Sequence, residues 1–194
     1  MYSPIHFVTG NPNKAAELQQ VLEPLGIPVV PTALDLVEPQ ANHIQTVAES
    51  KAEQAYAQIR QPVVVEDSGF AVEALRGFPG PYVKYLLETI GIDGLLRLME
   101  PFQARTCAFT SVMVYRDADG MQTFNAAYVG QLARQIDPTP SEMAWSELWR
   151  VFIPEGETRT LTAIPPKELR PTLRGWAERS VYAQLARWLS QRSS

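Results

Sequence analysis

The chain carries one cysteine, Cys107, and two histidines, His6 and His43. An internal disulfide therefore has no second thiol, and a thiolate-cluster metal site has no ligand set. A histidine-rich zinc centre is excluded in the same way. No apolar run approaches the ~20 residues that span a bilayer. The opening "MYSPIHFV" has neither a charged n-region nor a long apolar stretch, so the expectation is a cytoplasmic protein without a secretory signal. Positive charge is not in excess: the formal net charge is −4 and the pI is near 5.3, the reverse of a general nucleic-acid binder. There is no internal repeat and no low-complexity segment. An anionic small ligand stays open, because a few lysines make a local positive pocket on an acidic protein.

What is present suits a real core. The 194 residues are 45% hydrophobic, which fits one domain over 1–194, either as one large body or as two closely joined lobes. Residues 5–8, "IHFV", read as a short buried strand, and Leu18, Val21, Leu22 and Leu25 mark a helix over 13–25 that Gly26 stops. "IPVVP" reads as a second strand. Val47, Ala48, Ala52, Ala55, Tyr56 and Ile59 mark a helix over 46–59. "PVVVED" reads as an apolar strand ending in two acids, and helices follow at "YVKYLLETI" and "DGLLRLM". Two longer strands, "ARTCAFTSVMVYRD" and "MQTFNAAYVGQL", join through a turn at Asp119-Gly120. Residues 135–147 read as irregular, "RVFIP" as a strand, Pro165-Pro166 as a breaker, and 174–189 as one closing helix with Val181, Leu185, Trp188 and Leu189 on one face. Alternating strands and helices of this kind make an α/β protein.

Chemistry concentrates where strands hand over to helices. In "FVTGNPNKAAEL", residues 7–18, a loop enters a helix N-terminus with its unpaired N–H groups and positive dipole end. Such a terminus is a ready anion site. Gly10 permits close approach to the backbone, Thr9 and Asn11 add neutral hydrogen-bonding groups, and Lys14 adds a full positive charge. The plain alternative is a strand–turn–helix with Asn11 as N-cap. The G-x-x-x-x-G-K-[ST] spacing of a Walker loop is absent. In "VVVEDSGF", residues 63–70, Glu66 and Asp67 read either as oxygen ligands for Mg²⁺ plus a base for water, or as a strand-end turn. Neighbouring strand residues face opposite ways, so the two acids share a site only if the strand ends there and turns. "GFPGPYVKYLL", residues 77–87, reads as a rigid turn before a helix carrying Lys84, and Glu38 stands in the loop "LVEPQ".

Together these blocks resemble the inosine triphosphate pyrophosphatase family, the house-cleaning non-canonical purine NTP pyrophosphatases. Thr9, Asn11, Lys14 and Glu17 match the family's T-x-N-x-x-K-x-x-E, "VEDSGF" is similar to its acid-acid-Ser/Thr strand, and "GFPGPYVKYLLETIGIDGLLRLM" resembles its eukaryotic-type members. The resemblance implies an elongated, two-lobed α/β domain: a long twisted mixed sheet flanked by helices, with a central cleft. It implies Mg²⁺-dependent hydrolysis of a nucleotide to monophosphate and pyrophosphate, in a homodimer. It assigns Thr9, Gly10, Asn11, Lys14, Lys51, Ser68 and Lys84 to substrate, Glu38 and Asp67 to the metal, and Asp67 with neighbouring Glu66 to catalysis.

The base-reading half departs from the family. Where the family has an aromatic-Gly-aromatic-Asp-Pro run, this chain has Ser146, Glu147, Leu148, Trp149 and Arg150. Where the family has Ser-His-Arg, it has Ser180, Val181 and Tyr182, and Trp176 replaces an upstream lysine. Trp145 and Trp149 offer stacking surfaces or core packing, with packing favoured. The expectation is a pyrophosphatase with altered or relaxed base preference. The alternatives are a non-catalytic nucleotide-binding module that kept the phosphate site, and a pyrophosphatase for another phosphorylated metabolite.

Overall fold

A computed structural model of the chain describes residues 3–192. The fold is α/β, with a mixed seven-stranded sheet flanked by helices. The strands are β1 (Ile5–Val8), β2 (Val29–Thr32), β3 (Val63–Val72), β4 (Pro79–Gly80), β5 (Thr106–Arg116), β6 (Met121–Leu132) and β7 (Phe152–Pro154). The helices are α1 (Pro12–Leu22), α2 (Ile44–Ile59), α3 (Val83–Thr89), α4 (Gly91–Leu98), α5 (Pro166–Arg179) and α6 (Val181–Arg192). The strand order is β2-β1-β3-β5-β6-β7, with β4 added to β3. β1 runs parallel to both β2 and β3, in registers that pair Val8 with Thr32 and with Val65.

The chain divides into two compact units. Residues 3–68, 111–126 and 177–192 form the first; residues 69–110 and 127–176 form the second. Strands β3, β5 and β6 each begin in one unit and continue in the other.

In the first unit the sheet has a core on each face, and alternation along the strands separates them. Val64, Met113 and Tyr115 join Ile5, Phe7, Ala15, Leu18, Leu22 and α6's Leu185 and Leu189 on the α1 face. Val63, Val65, Val112 and Val114 pack against Ala48, Ala52 and Ala55 of α2 on the other. Small alanines along α2 let that helix approach the valines closely. Each fully buried Leu, Val or Phe here contributes on the order of 1.5–3 kcal/mol relative to exposure. The second unit has its own core of Phe70, Val72, Leu95, Met99, Trp149 and Phe152, among others.

Two expectations change. β3 does not stop at its acids but continues through them to Val72, because Phe70 and Val72 are buried apolar residues and β4 pairs with Phe70 and Ala71. The closing helix is two helices. Ser180 separates α5 from α6, and its Oγ accepts the Ala183 N–H at 3.2 Å, which caps α6 in place of continuing α5.

Candidate active site

Parallel pairing of β1 and β3 decides where the chemistry gathers. Val8 lies opposite Val65, so Thr9 leaves β1 at its carboxyl end level with Glu66, which β3 carries within its length. Open α/β sheets present their functional groups outside the carboxyl ends of their strands.

Beyond β1 the loop is built by short polar contacts. Thr9 Oγ1 accepts the Asn11 N–H at 3.1 Å, and Asn11 Oδ1 accepts the Asn13 N–H at 2.9 Å. Pro12 opens α1, where its missing N–H costs nothing. Asn11 is thus the N-cap, and it holds the loop in the shape that aims the remaining N–H groups outward. Gly10 is exposed, and a Cβ built on it would meet nothing within 4 Å. The protein's own packing therefore places no demand for a glycine there.

Lys14, in the first turn of α1, is ion-paired to Glu66 Oε2. The Lys14 side chain is 30% exposed, whereas that of Glu66 is only 4% exposed. Glu66 Oε1 accepts the Ser111 hydroxyl at 2.6 Å. Glu17, one turn beyond Lys14, is exposed as a residue, yet desolvation of its carboxyl and then the charge of Glu66 push its pKa upward against the pull of Lys14. All these groups lie on the α1 face, as the alternation from Val64 to Glu66 requires.

Asp67 continues the other face, that of Val63 and Val65, and meets α2. Lys51 Nζ donates to Asp67 Oδ1 at 3.0 Å and to Glu38 Oε1 at 2.8 Å, tying the loop glutamate to the strand. Burial raises the Asp67 pKa above the usual carboxylate value. The Lys51 charge opposes that rise, while Glu38 and Glu66 add to it. Burial alone would lower the Lys51 pKa, but its hydrogen bond to Glu38 and its pairing with Asp67 outweigh this and raise it. Asp67 Oδ2 is buried and has no hydrogen-bond partner. Among the described residues no group of three or more His, Cys, Asp or Glu side chains stands ready to hold a metal. The carboxylates of Asp67 and Glu38, which share Lys51 between them, nonetheless suit a hard cation that also takes water and phosphate oxygens.

Thr9, Gly10, Asn11, Lys14, Glu38, Lys51, Glu66, Asp67 and the exposed Ser68 all belong to the first unit, where direct contacts join Lys14 to Glu66 on one face of β3 and Lys51 to Glu38 and Asp67 on the other. Lys84 belongs to the second unit. It is 86% exposed on α3, with Glu88 at 3.8 Å. Ser111 had no signal in the sequence, being a lone serine in a strand, and only the neighbouring position of β5 and β3 reveals it.

The aromatic residues of the second unit have separate fates. Trp149 is 1% exposed and belongs to the core, as packing rather than as a platform. Trp145 is 64% exposed and sits edge-on to Phe109, with ring centroids 4.8 Å apart. Trp176 stacks on Tyr128 at 4.7 Å. In the first unit, Tyr182 is buried beside Phe7.

Known proteins resemble this chain along most of its length. A dITP/XTP pyrophosphatase of Hyperthermus butylicus is 38% identical over 188 residues, covering 96% of this chain and 95% of that protein. A dITP/XTP pyrophosphatase of Thermococcus kodakarensis is 35% identical over 186 residues, covering 95% of this chain and 96% of that one. Among solved structures, a HAM1 protein from Coxiella burnetii superposes with a TM-score of 0.80 at 21% identity, over 98% of this chain and 100% of its own. The nucleoside-triphosphatase / dITP/XTP pyrophosphatase of Mycobacterium abscessus gives a TM-score of 0.76 at 24% identity, over 90% of this chain and 94% of its own. Residues 5–173 match the Ham1 family, and the chain belongs to that family.

Proposed function

We propose that residues 1–194 work as one nucleoside triphosphate pyrophosphatase. It hydrolyses non-canonical purine nucleotides such as ITP, dITP and XTP to the monophosphate and pyrophosphate. The observation that carries this reading is Asp67: a half-buried carboxylate with one oxygen held by Lys51 and the other enclosed without a partner, its pKa pushed up by desolvation. A carboxylate with one oxygen anchored and the other free to accept is suited to orient a water and take its proton.

In this reading Thr9, Asn11 and the α1 N–H groups hold phosphate oxygens, with Gly10 leaving room for them and Lys14 supplying charge. Lys51 and Lys84 add further positive charge on the polyphosphate, and Ser68 contacts the substrate. Glu38 and Asp67 would hold Mg²⁺ once Lys51 turned from between them to the phosphates, and the ion would supply further positive charge against the polyphosphate. Asp67 orients the attacking water, and its Oδ2 receives the proton. The water oxygen bonds to the α-phosphorus, and the bond from that phosphorus to the bridging oxygen breaks to release pyrophosphate. Glu66 supports the site from the opposite face of β3 through Lys14. A homodimer in the cytoplasm completes the proposal.

A relaxed base preference is favoured by the aromatic residues. Trp149 and Tyr182 are committed to cores, and Trp176 is committed to Tyr128. A site that reads a 6-oxo purine discriminates by leaving buried polar groups unpaired when the wrong base enters. The residues aligned with the family's base readers supply few such groups. Pyrophosphate release with and without Mg²⁺, measured on ITP, XTP, dITP, ATP, GTP, UTP and dTTP, tests both parts. Release from none of them overturns the enzyme assignment. A strong preference for ITP and XTP over GTP overturns the relaxed preference. Light scattering at micromolar concentration tests the dimer.

A further inference from the structure

The bond between Ser111 and Glu66 has no part in the chemistry above. Glu66 is almost wholly enclosed, and a buried carboxylate left without donors is costly. Its two oxygens meet different elements: Oε2 accepts no hydrogen bond and is compensated by the ion pair with Lys14 of α1, while Oε1 accepts the hydroxyl of Ser111 on β5. The 2.6 Å Ser111 bond is in the range of short, charge-assisted hydroxyl–carboxylate bonds. Ser111 stands where the α1 face passes from these polar groups to the apolar core. Met113 and Tyr115, the next two residues of β5 on that side, pack in the core with Val64, Phe7 and Leu18. Packing alone would favour alanine or valine at that position.

A lysine ammonium on a flexible stem has no fixed direction of its own. Here it acquires one: Glu66 draws it in, and the hydroxyl of Ser111 fixes the carboxylate that does so. Both supports stand on strands, so the ammonium at the α1 entrance is held by rigid elements. We propose that Ser111 is a positioning residue for phosphate binding, acting through Glu66 to place Lys14 at the N-terminal end of α1. It deepens the pyrophosphatase reading and rests on it for the identity of the substrate, but its physical content is the placement of one cation at one anion site.

The test compares Ser111→Ala, Ser111→Val and Ser111→Thr with wild type. Val and Thr have the same shape, so the hydroxyl is the variable. Inorganic pyrophosphate binding is measured by calorimetry, and KM and kcat on ITP are measured separately. Loss of one oriented contact predicts that Ala and Val weaken pyrophosphate binding and raise KM about tenfold, with kcat changed less, and that Thr restores both. In a Lys14→Ala background, Ser111→Ala has no further effect on binding. Melting temperatures separate this from a structural role, which would lower stability and leave the KM of the folded protein within twofold of wild type. That outcome overturns the assignment, as does equal behaviour of Val and Thr, or full additivity with Lys14→Ala. If wild type turns over no nucleotide but the binding pattern holds, the pyrophosphatase reading falls and the positioning role stands. If wild type binds no pyrophosphate, both fall.

Discussion

Glu66 and Asp67 are consecutive residues of one strand, yet each serves a different helix: Glu66 is paired with Lys14 of α1 and Asp67 with Lys51 of α2. The pleat makes this inevitable once β3 continues through both acids. Two adjacent carboxylates that shared a site would repel each other. Here the sheet lies between them, and each is compensated by its own lysine.

Asp67→Asn is expected to lower turnover at least ~100-fold, the lower end of what a general base contributes. The near-isosteric change should leave the fold intact. The sign for stability follows from the raised pKa: the folded state binds the Asp67 proton more tightly than the unfolded chain does. The stability linked to that proton is fully present below the unfolded value near 3.8 and is lost as pH rises through the folded value. Asn mimics the protonated form, so the variant should gain stability over wild type at neutral pH, with the gain vanishing in acid. Urea titrations at several pH values check this.

Glu38→Gln should raise the Mg²⁺ concentration required for activity. It removes the charge that Lys51 grips at 2.8 Å, but the Glu38 side chain is 66% exposed. An ion pair that open to solvent is worth about 0–1 kcal/mol, so the melting temperature should barely change. Metal titrations of initial rate and a thermal melt separate the two effects.

Trp149→Ala and Trp145→Ala should differ sharply in stability. Trp149 fills the core of the second unit, and its loss should cost about 3–5 kcal/mol. Trp145 is exposed and keeps an edge contact with Phe109, worth about 0.5–1.5 kcal/mol. Equilibrium urea unfolding measures both.

Gly130→Ala should destabilise by about 1–3 kcal/mol through overpacking. A Cβ there would lie 2.3 Å from the Ile153 carbonyl oxygen and 2.5 Å from Phe152 Cζ. The ring has room to turn only if the core gives way, and the carbonyl belongs to β7, which is paired with β6 at this point. A Tm equal to wild type would contradict this placement of the strands.

The local elements are legible in residue order alone. Apolar spacing located β1, α1 and α2 within a few residues, and Asp119-Gly120 marked the β5–β6 turn, because helical and strand periodicities act over a few residues and leave their trace in order along the chain. Thr9, Asn11, Lys14 and Asp67 drew notice because they stand in short blocks that resemble a family's motifs, although the strand end expected at Asp67 is not there. How far β3 runs, where Ser180 divides the closing helices, and which tryptophan is packed away emerge only from the packing in three dimensions. The same is true of the placement of Glu66 and Asp67 on opposite faces and of the hydrogen bond to Glu66 from Ser111, 45 residues further along. Such contacts depend on which strands become neighbours. Neighbour choice is settled by burial across the whole sheet, so no local pattern announces it.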